Sequence, residues 1–208
     1  MEKNINLKEI EKKTWTSYFE DGLWDVFMGC YVLMFAIAPL LSERLGDFWS
    51  SFVFLPFWAF VYLGIWLIRK YIVRPRMGVV TFGQQRKKRL LKYNIIVFVV
   101  SLVSLILGII SFGNIELPGE IHIIRFSIIV LTVSCLSAYF LDLRRLYFYG
   151  VLFVLSFFVG EWLYTNLNIP HHGYPVAFGT TAGIIILVGL TKFIGFLRKY
   201  PSQEELSV

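Results

Sequence analysis

Charge is scarce in this sequence. Only 16% of its 208 residues are Asp, Glu, Lys or Arg, against about a quarter in an ordinary soluble domain. Cysteine is nearly absent: Cys30 and Cys135 stand alone in the middle of apolar blocks, without metal-ligand spacing. Each therefore reads as a small apolar packing residue and not as a disulfide partner or a zinc ligand. The chain has no Asn-x-Ser/Thr sequon, no Gly-x-x-x-x-Gly-Lys-Ser/Thr, no His-Glu-x-x-His and no Gly-x-Ser-x-Gly. That removes the phosphate loop, the zinc-protease helix and the nucleophile elbow, and no cofactor or metal set is indicated. The segment before the first apolar block has mixed charge and no small-residue cleavage site follows it, so the first span is expected to act as an uncleaved anchor.

What the chain has instead is apolar length. Hydrophobic residues make up 57% and aromatics 18%, arranged in blocks of roughly 20 residues, the length a helix needs to cross a hydrocarbon core about 30 Å thick. The expected spans are 22–41, 48–68, 94–112, 121–141, 146–165 and 174–197, with a kink at Pro56 in the second. Stretches such as 95–110 are apolar on every face, whereas a barrel strand would alternate over about ten residues. The fold class is therefore all-α, a polytopic bundle of about six transmembrane helices. Residues 1–20, with Leu7, Ile10, Trp15, Tyr18 and Phe19 among Lys and Glu, suit a short amphipathic helix lying in the interface. The transmembrane domain then covers 21–200, with a basic loop at 69–92, and 201–208 form a tail.

Lys and Arg set the orientation because they are retained on the cytoplasmic side. The 69–92 loop carries nine of them and no acid. With Lys3, Lys8, Lys12, Lys13, Arg144, Arg145, Lys192, Arg198 and Lys199, a six-span alternation gathers 18 of the 20 basic residues on one side, leaving Arg44 and Arg125 on or near the other. Both termini are expected in the cytoplasm, in a plasma or inner membrane. The net charge of +6 is then a topology signal and gives no reason to expect nucleic acid.

Four groups of residues are candidates for more than packing. Gly179 and Gly183 share one helix face and would let another backbone approach closely, from the same bundle, a second copy of the chain or a partner membrane subunit. Arg74 and Arg76 could hold a phosphate or an anionic lipid head group through their guanidinium forks; Pro75 and Gly78 suggest a turn there, Val79 to Phe82 an extended piece, and the residues from Gln84 a basic helix. Asp21 and Asp25 lie one turn apart at the start of span 1, and Asp25 is an intramembrane acid, a type of residue kept for a reason. His122, Arg125, Glu161, His171 and His172 fall at the extracytoplasmic face with Asp47, Glu116 and Glu120. Arg125 and Glu161 are expected to pair at similar depth, and the layer could bind a small anion, a metal or a head group.

The leading functional expectation is a protein that binds or passes a small solute or ion through this extracytoplasmic layer, as a subunit of a larger transporter. A membrane enzyme acting on a lipid-linked or small extracytoplasmic substrate, with Glu161 and a histidine as acid and base, is the second. A scaffold docking a cytoplasmic partner through the basic loop is the third.

Overall fold

The structure, a computed structural model, describes residues 19–77, 84–114 and 119–201. It is helical, and no strand occurs among the described residues. We name the helices α1 (Leu23–Gly46), α2 (Phe48–Arg76), α3 (Gln84–Asn114), α4 (Gly119–Leu141), α5 (Arg145–Leu167) and α6 (Tyr174–Lys199). Five segments, α1, α2, Ile123–Leu141 within α4, α5 and His171–Lys199, are long and apolar enough to cross a membrane. The sixth expected span lies on α3, whose side chains at 107–114 fall outside the described residues. The expected interfacial helix at 1–20 lies outside them as far as residue 18, and the tail at 201–208 lies outside them beyond Pro201.

Large apolar side chains point outward along these helices, among them Phe60 at 80% exposure and Phe48 at 74%. On a soluble protein such faces would need cover; lipid tails cover them without cost. The chain is an all-α multi-pass membrane protein.

The chain divides into two compact units, Met1–Thr81 with Val159–Val208, and Phe82–Phe158. In the first, α1 and α6 run antiparallel with almost no side chain between their backbones. A Cβ on Gly22 would collide with the carbonyl oxygen of Gly189, and one on Gly189 would lie 2.7 Å from the Val26 nitrogen and 2.9 Å from the Gly22 oxygen. Further along, a Cβ on Gly29 would strike Ile186, and Ala182 and Ile185 are wholly buried. The seam continues to Phe35 against Phe178, ring centres 5.7 Å apart.

Spans 1 and 2 are joined through a single residue. Gly46 has φ 76° and ψ 162°, a region open in practice to glycine alone, and helix resumes within two residues. Span 1 therefore extends past the expected end at Leu41, carrying Glu43 and Arg44 on its last turn. The basic loop also differs from expectation. Residues 69–77 continue the helix, first as a π-helical turn over Arg69–Val73 and then as Arg74–Met77. The Arg74 N–H reaches back to the Arg69 carbonyl, and this wider turn carries the backbone into Pro75, which has no N–H to donate. Helix begins again at Gln84, as expected; the turn and extended piece expected at 78–83 lie outside the described residues.

In the second unit, the C-terminus of α4 closes with Asp142 in the left-handed conformation (φ 56°) and the Leu143 N–H donating to the Ala138 carbonyl at 3.0 Å, a Schellman closure. Arg89 secures it, donating to Asp142 Oδ2 at 2.9 Å and to the Tyr139 carbonyl at 2.6 Å. A cation at a helix C-terminus meets the negative end of the macrodipole.

Candidate functional site

The first unit holds two polar constellations, one at each end of its helices. At the basic end, Asp21 is fully buried. Its Oδ1 accepts the Leu23 N–H at 3.1 Å, which satisfies one donor of the α1 start, and its Oδ2 pairs with Arg69 of α2 at 3.2 Å. Burial pushes the Asp21 carboxyl above its ordinary value; Arg69 and the Leu23 N–H pull against this, and Asp25 adds to the upward push. Asp25, also buried, meets Lys192 of α6 at 3.7 Å. Arg76 donates to the Leu197 carbonyl at 3.1 Å and the Tyr200 carbonyl at 2.8 Å, closing the end of α6. Leu23, Val73 and Phe196 form the apolar core beside these contacts. The three interactions tie the start of α1 and the ends of α2 and α6 into one charged lock. Asp25, expected as an intramembrane acid, is one of its members. Arg76, expected on a phosphate, has its guanidinium aimed at carbonyl oxygens, while Arg74 is exposed.

The opposite end is built on a short, unusual connection. α5 stops when Asn168 turns left-handed (φ 51°) and its N–H bonds to the Tyr164 carbonyl at 3.1 Å. Pro170 is extended. Then His171, His172 and Gly173 have φ of 56°, 53° and 59°, three successive left-handed residues, before α6 starts with Pro175 in its first turn. Left-handed geometry costs a non-glycine residue about 1–2 kcal/mol, so the surroundings must hold the two histidines there. They do so by close packing: a Cβ on Gly173 would lie 2.6 Å from the Gly160 carbonyl oxygen, and one on Gly160 would lie 3.0 Å from the His172 carbonyl.

The turn sends its two imidazoles to different helices. His171 Nε2 meets Glu43 Oε2 of α1 at 3.0 Å, and His172 Nδ1 meets Glu161 Oε2 of α5 at 3.2 Å. The Tyr174 hydroxyl donates to the same Glu161 carboxylate. The His172 ring lies between Tyr164, 4.4 Å away, and Tyr174, 5.7 Å away and nearly parallel. The result is a layer of two carboxylates, two imidazoles and two phenol rings. Among the described residues no three His, Cys, Asp or Glu side chains converge as a metal site requires. What the layer offers is carboxylate oxygen beside aromatic faces, a combination suited to cations, with each carboxylate already held by an imidazole that a cation could displace.

Three of the five residues expected in this layer, Glu161, His171 and His172, fall in it. Glu161 is held by His172 and Tyr174; Arg125, its expected partner, lies on α4 in the second unit. The side chains of His122, Asp47 and Glu120, and residue Glu116 altogether, lie outside the described residues. Glu43 was not among the expected members. Its signal was the one acidic side chain between spans 1 and 2 that an extension of span 1 by a turn would carry outward. Gly179 meets only Ala36, at an ordinary 3.9 Å, and Gly183 has nothing within 4 Å, so the close crossing belongs to Gly22, Gly29 and Gly189. No family model, curated protein sequence or solved structure matches the chain.

Proposed function

We propose that this membrane protein binds a small cationic solute or ion at the layer of Glu43, Glu161, His171 and His172, on the extracytoplasmic side, and passes it onward as a subunit of a larger transporter. The supporting observation is the left-handed turn at 171–173 with each imidazole on a carboxylate from a different helix. A strained turn that places two adjacent side chains on separate carboxylates is an expensive way to close a connection six residues long, and such strain gathers at ligand-holding sites. A cation entering the layer takes the place of imidazole on a carboxylate, with Tyr164 and Tyr174 supplying ring faces.

The test is thermal stabilisation of the detergent-purified chain by a panel of ammonium, choline and putrescine near neutral pH. At least one should raise the melting temperature. Glu161→Gln should remove that response, and His172→Gly, which frees the Glu161 carboxylate from its imidazole, should enlarge it. His172→Gly keeps the turn, because glycine accepts positive φ, so its changed response cannot be laid to unfolding. Equal responses from the parent chain and both variants would refute the proposal.

A further inference from the structure

A cavity of about 390 Å³ opens at the basic end of the first unit, away from the histidine layer, lined by Glu20, Lys192, Gly195, Phe196, Lys199 and Tyr200. Lys192 and Lys199 are seven residues apart on α6, two turns on one face and roughly 10 Å along the axis. Between them Gly195 leaves the wall open; a Cβ there would touch nothing within 4 Å. Phe196 packs against Tyr200, ring centres 5.2 Å apart, and gives the cavity an apolar side. Tyr and Lys at a helix end mark the level of the lipid head groups.

The charges of the rim specify the ligand. Two ammonium groups call for a phosphate. Lys192 pairs with Asp25 at 3.7 Å, and Glu20 and Lys199 on the rim carry opposite charges, so these four groups sum to zero. A head group with net negative charge would bring an anion toward Glu20; one with a phosphate at one end and an ammonium at the other meets complementary charge at both. We propose that this cavity binds the aminoethyl phosphodiester head group of a zwitterionic phospholipid, with its phosphate on Lys192 and Lys199 and its ammonium donating to Glu20. The trimethylammonium of a choline lipid has the same charge but no N–H to donate. The glycerol head group of an anionic lipid has no cation. The site is independent of the proposed cation layer and stands or falls separately.

The test is retention of added lipid by the full-length chain in detergent, read by native mass spectrometry with phosphatidylethanolamine, phosphatidylcholine and phosphatidylglycerol of identical acyl chains. Phosphatidylethanolamine should be retained about tenfold more than either of the others, as expected for one hydrogen bond to a charged group. Glu20→Gln should abolish that preference, and Lys199→Ser should lower retention of all three. Gly195→Leu puts a branched side chain into the cavity from a Cβ position with nothing within 4 Å, and should abolish retention while leaving the melting temperature in lipid-free detergent unchanged or raised. Preference of the parent chain for phosphatidylglycerol would reduce the site to a basic patch and overturn the proposal. So would undiminished phosphatidylethanolamine retention by Gly195→Leu, or by Lys199→Ser should the leucine variant fail to fold.

Discussion

The crossing of α1 over α6 makes the sharpest mechanical prediction. A methyl group added at Gly189 would lie 2.7 Å from the Val26 nitrogen and 2.9 Å from the Gly22 oxygen, both backbone atoms that cannot swing aside. Ordinary contact begins near 3.5 Å, so the helices must part by roughly 0.7 Å, and the residues along the seam lose part of their dispersion contacts at once. Overpacking of this kind costs about 1–3 kcal/mol, against which Gly→Ala returns about 1 kcal/mol of helix propensity. Gly183 is the matched control in the same helix. Nothing lies within 4 Å of its Cβ position, so Gly183→Ala collects the propensity gain alone. The two variants should differ by that overpacking cost, about 1–3 kcal/mol, and at about 2–4 °C per kcal/mol for a chain of this size by about 2–12 °C in melting temperature, with Gly189→Ala the lower. Thermal unfolding of the purified protein in one detergent, followed by tryptophan fluorescence, measures the gap. Equal shifts of the same sign would refute the close backbone approach.

Other outcomes follow from the charged groups and the topology. Burial holds the Asp21 pKa above its ordinary value of 3.8, so the folded state binds this proton more tightly than the unfolded one, and stability falls as pH rises from about 4 through the raised value. Asp21→Asn should flatten that part of the profile, and superimposable melting profiles between pH 4 and 8 would contradict the burial argument. Arg89→Ala removes the cation closing α4 and should cost about 0.5–1 kcal/mol, read as a lowered melting temperature; no change in the melt would show that the contact with Asp142 contributes nothing. Reporter fusions after residues 80 and 145 should read cytoplasmic, and fusions after 45, 116 and 170 extracytoplasmic. One robust reversal would break the six-span alternation.

The sequence by itself determined the membrane class, the helical fold and nearly every span, because lipid imposes one-dimensional demands. A helix must be apolar for the thickness it crosses, and it must satisfy its own backbone; both can be read along the chain without knowing what lies beside it. The outward-facing Phe48 and Phe60 answer only to lipid. Tertiary structure decided what depends on neighbours. Gly179 and Gly183 have the small-residue spacing, yet Gly22 and Gly189, far apart in the chain, form the crossing, since which glycine meets another backbone is set by how two helices are aligned. Arg76 and Asp25 showed their charge in the sequence but not their partners, the carbonyls of Leu197 and Tyr200 and the ammonium of Lys192. The histidines of the 171–173 turn were legible as polar groups at the end of a span. That they stand in left-handed conformation, one on Glu43 and one on Glu161, was fixed only when the close approach of Gly160 and Gly173 seated the start of α6 against α5.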